Sequence, residues 1–187
     1  GLALVMLVAF NPASIFNTSL WGQIDSILVL LLVLCGHSLL QKKNVQACLI
    51  FVIALLVKPQ AVFFAPLILI SFFLEYRENP RRETVAGFFK AVGLGVLLFV
   101  AGIVPFWGDQ GPLWILDKYV STATSYPYAS VNAFNLFALA GGNWMKDTMP
   151  FLLLSYKVWG YIMMAGVLGL TVYFFIKRPD KKLIWLL

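Results

Sequence analysis

The chain has 187 residues, 61% of them hydrophobic and 12% charged, with mean hydropathy +0.87. A soluble globular domain carries about 25% charged residues, so the composition excludes an ordinary soluble fold and predicts an all-α integral membrane protein. The net charge is +6, but the basic residues cluster between apolar runs, which is a topology signal and not the footprint of a nucleic-acid binder.

Residues 1–10 are apolar throughout and read as the end of a helix stopped by Asn11-Pro12. They carry no basic n-region and no cleavage site, so they are not a signal peptide. At the other end, Lys181-Lys182 opens a new apolar run. Both ends read as cut from a larger polytopic protein. The next span is predicted over residues 18–40, about 23 residues and roughly 34 Å, enough to cross a bilayer. Trp21 falls in its aromatic belt. Gln41-Lys42-Lys43-Asn44 then makes a basic turn.

Residues 45–57 and 61–74 flank Lys58-Pro59-Gln60. Each half is too short to cross alone, since a span needs about 20 residues. Either one long helix kinks at Pro59, or two short helices enter, turn at Lys58-Pro59-Gln60 and return. The cluster Arg77, Arg81 and Arg82 favours the return, which puts it on the side of Lys42 and Lys43. Such discontinuous helices are tolerated where protein or a watery cavity covers them.

Residues 84–107 form the next predicted span. Gly87, Gly93, Gly95 and Gly102 within it would let helices pack closely. Residues 108–150 are predicted as one long extracytoplasmic loop, with a short interfacial helix over 131–140. Residues 152–176 are the last complete span. The whole of 1–187 reads as part of a single transmembrane domain, with 108–150 a loop within it. Cys35 and Cys48 lie in apolar runs and read as small core residues rather than a disulfide or metal pair.

Under the return at Lys58, one side receives Lys42, Lys43, Arg77, Arg81, Arg82, Lys177, Arg178, Lys181 and Lys182, and the other Lys118, Lys146 and Lys157. Nine against three is a positive-inside bias. It places residues 11–21 and 108–150 on the extracytoplasmic side.

Asp25 lies 17 residues before Lys42 and Lys58 lies 16 after it. At 1.5 Å per residue both rise roughly 24–26 Å from the basic turn, to a level just below the outer surface. Trp21 and Asp25, like Gly22 and Ser26, are four apart and are expected to share a helical face. One reading is a buried Asp25–Lys58 ion pair that locks two helices together, as charges in membranes usually pair. The other is a polar pocket, with Trp21, Gln23, Asp25 and Gln60, in which Lys58 neutralises an anionic ligand. In the outer loop, Asn132 and Asn135 are three apart and expected on one face of a short helix, beside Tyr126 and Tyr128. Asn amides both donate and accept hydrogen bonds, which suits a sugar or phosphate. Equally, the Asn residues could cap an interfacial helix while the Tyr residues anchor it.

Asn11-Pro12-Ala13 through Trp21-Gly22-Gln23-Ile24-Asp25-Ser26, then Lys58-Pro59-Gln60 with Pro66, then 126–136 and Asn143-Trp144, stand in this order along the chain. Together they resemble bacterial members of the GT-C glycosyltransferase superfamily, in particular mannosyltransferase-like membrane enzymes related to protein O-mannosyltransferases. The resemblance implies a polytopic helical enzyme of the bacterial plasma membrane. Such an enzyme transfers a sugar, with mannose favoured, from a polyprenyl-phosphate-linked donor to an acceptor on the extracytoplasmic face. It also implies an essential acidic residue in a first extracytoplasmic loop. That loop is expected outside this sequence, and the role is not carried over to Asp25, where the motif differs. Lys58 is expected to bind the donor phosphate, with Gln23 and Asp25 orienting it, and Tyr126, Tyr128, Asn132 and Asn135 to line the sugar or acceptor side. A divalent metal is compatible with such an enzyme, but no residues here point to one. The alternative is a membrane transporter or flippase, for which discontinuous helices are common. A noncatalytic scaffold explains the packing glycines but not the polar head of the first full span.

Overall fold

A computed structural model of the chain describes residues 5–7, 10–20, 22–133 and 135–177. These residues are mostly helical. They fall into two compact units, Gly1–Pro105 with Phe174–Leu187, and Phe106–Tyr173.

In the first unit, Asn11-Pro12 starts a helix. The Asn11 Oδ1 accepts the Ala13 N–H at 2.9 Å and caps α1 (Pro12–Ile15), with proline at the first helical position. A π-helical turn, Phe16–Leu20, follows. The backbone then breaks at Gly22, whose φ of +66° is costly for any residue with a Cβ. Helix α2 (Asp25–Leu40) therefore begins at Asp25 and not at residue 18. Its 16 residues span about 24 Å, short of a hydrocarbon core of about 30 Å. The expected shared helical face for Gly22 with Ser26 is overturned by the same break. The pairing of Trp21 with Asp25 rests on Trp21, which lies outside the described residues.

Helix α3 (Asn44–Val57) ends at Lys58, which is extended at φ −153° and ψ 119°. Pro59 explains this: it has no N–H to continue the ladder and pushes the residue before it out of the helical region. A 3₁₀ segment, Pro59–Phe64, leads into α4 (Ala65–Glu78). The chain returns. Lys42 Nζ donates to Glu78 Oε2 at 2.6 Å, and Asn44 Nδ2 donates to Glu75 Oε2 at 2.6 Å, so the end of α4 meets the start of α3. The hydrogen bond from Lys42 to Glu78 raises the pKa of this exposed ammonium above its ordinary value.

The returning arm is longer than predicted. Pro59–Glu78 gives 20 residues, Arg82–Phe106 gives 25 and Tyr156–Lys177 gives 22, and each is long and apolar enough to cross a membrane. These three helices are compatible with an integral membrane protein.

Helix α5 (Arg82–Ile103) packs on α3 along a seam of small residues. A Cβ at Gly95 would stand 3.3 Å from Val52 Cγ2, and one at Gly102 would stand 2.6 Å from Leu56 Cδ1. Gly87 and Gly93 have open space instead, so two of the four predicted packing glycines serve this contact. We expect Gly95→Leu to lower stability by about 1–3 kcal/mol through overpacking. Gly93→Ala should be neutral or raise stability by up to about 1 kcal/mol through helix propensity. Thermal unfolding in detergent checks the contrast; equal shifts for the two variants would contradict the seam. The core centres on Cys35, Ala47 and Ala91, all fully buried, with Leu67, Phe72 and Phe175. Cys35 and Cys48 are free thiols in packing positions, and the Cys35 Sγ–H donates to Ala47 O at 3.2 Å.

In the second unit, the stretch expected as a loop carries helix α6 (Trp114–Thr124). Trp114, Ile115 and Tyr119 are its half-buried face. Then come α7 (Leu136–Leu139), the antiparallel pair β1 (Pro150–Phe151) and β2 (Leu154–Ser155), and the start of α8 (Tyr156–Lys177). Phe137, Phe151 and Tyr156 form an aromatic nucleus, with Phe151 stacked on Tyr156 at 5.0 Å and Phe137 edge-on to Tyr156 at 5.2 Å.

Candidate functional site

The break at Gly22 and the break at Lys58 face each other. Lys58 Nζ donates to Asp25 Oδ1 and, at 3.4 Å, to Gln23 Oε1. The expected common level of Asp25 and Lys58 is therefore a direct ion pair. Local structure favours each charge where it sits. Asp25 opens α2, at the partially positive end of a helix, and Lys58 closes α3, at a partially negative end. Each placement contributes typically 0.3–1 kcal/mol. The Lys58 side chain is 23% exposed and that of Asp25 42%. The pair is thus only partly buried, and its net worth is about 1 kcal/mol. Thr18 Oγ1 lies 3.0 Å from Ser26 Oγ and ties the π-helical turn to the head of α2.

An ammonium has three N–H donors. Two are engaged by Asp25 and Gln23, and no further partner for Lys58 stands among the described residues. The cluster can therefore present a cation, held by neighbours from two chain breaks, to an anion arriving at this end of the unit. Gln60 is exposed on the 3₁₀ segment, and no hydrogen bond joins it to the cluster among the described residues.

The other predicted residues lie in the second unit. Asn132 and Asn135 do not share a helical face. Asn132 has φ +50° and precedes the helix, while Asn135 is extended and caps α7, its Oδ1 accepting the Ala138 N–H at 2.9 Å. The capping alternative thus holds for Asn135. Asn132 is held by residues the spacing did not single out: its N–H donates to Asn143 Oδ1 at 2.9 Å, and its Oδ1 accepts the Trp144 indole N–H at 3.3 Å. Trp144 has φ +62° and stands edge-on to Tyr128 at 5.4 Å. The Gly141-Gly142 pair before Asn143-Trp144 was the available signal for a tight turn there. Asn132, Asn135 and Asn143 all border an open groove of about 830 Å³ whose other walls include Leu136 and Leu139. Tyr126 is exposed nearby in sequence. Among the described residues, no group of three His, Cys, Asp or Glu side chains is placed to hold a metal ion.

These features define a mostly helical, apolar chain with three membrane-length helices and a lysine-centred polar cluster at a pair of helix breaks. No protein-family model, curated protein or solved structure matches it.

Proposed function

We propose that this chain belongs to a polytopic glycosyltransferase of the bacterial plasma membrane. The enzyme would move a hexose, with mannose favoured, from a polyprenyl-phosphate donor to an acceptor on the extracytoplasmic face. The observation that carries the reading is the Lys58–Asp25–Gln23 cluster. It lies at the end of the α2–α3 pair opposite the basic turn at Lys42 and Lys43, the end that the distribution of Lys and Arg assigns to the outer surface.

The chemistry suits the group. Transfer breaks the bond from the anomeric carbon to the phosphate oxygen, and the electron pair stays on the phosphate. The acceptor oxygen forms the new bond and gives its proton to a base. A phosphate leaving group is already a weak base and gains from a fixed cation more than from protonation. A charge prepositioned where negative charge develops is commonly the largest electrostatic contribution to a rate. Lys58 supplies that charge, and Asp25 and Gln23 hold its ammonium in place. Tyr126, Tyr128, Asn132 and Asn135 are assigned to the sugar or acceptor side, of which Asn132 and Asn135 border the groove in the second unit.

The test uses the full-length protein in vesicles, with radiolabelled polyprenyl-phosphate-mannose and, separately, polyprenyl-phosphate-glucose. The reading expects the label to leave the lipid. Label that crosses the bilayer still attached to its lipid, with no transfer, would contradict it in favour of a flippase.

A further inference from the structure

A second polar site lies at the opposite, basic end of the first unit. A groove of about 490 Å³ opens there between α3, α4 and α5. Its walls include Lys43, Asn44, Phe72, Glu75, Glu83 and Lys90.

Asn44 is the unusual member. It is 6% exposed, and its Nδ2 donates to Glu75 Oε2, but among the described residues its Oδ1 has no hydrogen-bond partner. The amide orientation is fixed by chemistry, because a carboxylate only accepts and must face the NH₂. A buried acceptor left unpaired is costly and usually marks a missing partner. That partner must donate an N–H or O–H.

Lys90 gives the second requirement. It is exposed on α5, eight residues beyond Arg82, about 12 Å along a helix of membrane length. Neither Lys90 nor Lys43 has an ion pair among the described residues. An ammonium on an exposed flank at that depth calls for an anion or must snorkel to a lipid phosphate. The groove thus offers cations for an anion and, with Glu75, Glu83 and the Asn44 oxygen, acceptors for a cationic donor. A neighbouring apolar groove of about 330 Å³, lined by Leu69, Phe72, Phe73, Val85 and Phe88, shares Phe72 with it.

From this juxtaposition we infer that the groove binds a phospholipid whose headgroup joins a phosphate to a primary ammonium, as in phosphatidylethanolamine. Lys90 and Lys43 take the phosphate. The ammonium donates to Asn44 Oδ1 and is balanced by Glu75 and Glu83. An acyl chain lies along Phe72, Phe73 and Phe88. Phosphatidylcholine has the same charges but no N–H to donate. Phosphatidylglycerol can donate but brings no cation to the two carboxylates. The inference rests on the membrane placement proposed above, and is independent of the glycosyl chemistry.

Native mass spectrometry of the full-length protein, released from detergent with equimolar phosphatidylethanolamine, phosphatidylglycerol and phosphatidylcholine of identical chains, tests it. We expect one retained lipid, with phosphatidylethanolamine favoured at least tenfold over phosphatidylcholine. Lys90→Gln, at an exposed position without an ion pair among the described residues, should fold normally and weaken retention of phosphatidylethanolamine at least fivefold. Asn44→Ala should erase the preference over phosphatidylcholine. Equal retention of the two lipids, or no effect of Lys90→Gln, overturns the site. Displacement by millimolar soluble phosphoethanolamine overturns a lipid occupant in favour of a soluble one. Carbonate extraction separates the two levels: a protein stripped from membranes contradicts the membrane reading, whereas one that stays but shows no lipid preference contradicts only the headgroup site.

Discussion

If the proposed function holds, Lys58→Ala is expected to lower turnover of the polyprenyl-phosphate-linked donor by about 10²–10³-fold, the usual loss when one prepositioned electrostatic contact to a developing negative charge is removed. The same change has a structural cost, because it leaves Asp25 without its cation. With Asp25 only partly buried, that cost is on the order of 1–2 kcal/mol, between the values for exposed and fully buried pairs. The two effects separate in a double variant, Asp25→Asn with Lys58→Met, which removes both charges and keeps the bulk. It should recover most of the lost stability and none of the lost turnover. If it recovers turnover as well, the pair serves only to lock α2 against α3, the purely structural reading raised by its spacing. Kinetics of donor consumption and thermal unfolding, measured on the same three preparations, decide between them.

Gly142→Ala destabilises the second unit by about 2–3 kcal/mol, at the upper end of overpacking costs. A Cβ at Gly142 would stand 2.9 Å from the carbonyl oxygen of Phe137 and 3.0 Å from the Tyr156 ring. Neither can yield cheaply. The carbonyl already accepts the Gly142 N–H at 2.7 Å, and Tyr156 is buried and stacked on Phe151. Because Asn143 and Trp144 follow directly, the change also loosens the support of Asn132. Gly160→Ala, in α8 with open space around it, is the control and should be neutral or slightly stabilising. A Gly142→Ala melting temperature within one degree of the control, on the order of 0.3 kcal/mol or less for a domain of this size, would contradict the close packing.

The parts of the fold legible in the sequence depend on regular rise and on charge. Asp25 and Lys58 could be set opposite each other because two helices leaving one turn climb at the same rate, and Lys42 marked that turn. The return at Pro59 was legible because Arg77, Arg81 and Arg82 needed the same side as Lys42. The start of α2 was not legible, because the polar segment 18–26 can either continue a helix or interrupt it, and the left-handed backbone at Gly22 that decides this is not set by spacing. Helix α6 was missed for a related reason: with Asp117, Lys118 and several hydroxyl residues it is too polar to read as a span. Which glycines serve the α3–α5 seam depends on how α5 is rotated, and spacing alone does not set that. In the candidate site, the Lys58 cluster was within reach of counting residues. The setting of Asn132 was not, since it is fixed by Asn143 and Trp144, 11 and 12 residues away, and a left-handed backbone at Asn132 defeats any helical spacing rule.

The measurement that bears most directly on the central claim is binding of polyprenyl phosphate itself, with no sugar attached, to the wild-type protein and to Lys58→Ala in nanodiscs. If the Lys58 ammonium holds the donor phosphate, the wild type binds and the variant binds at least tenfold more weakly, about 1.4 kcal/mol, while the Asp25→Asn, Lys58→Met double variant remains as weak. Equal affinity in folded wild-type and Lys58→Ala protein would contradict the assignment and leave the ion pair as a structural tie between two helices.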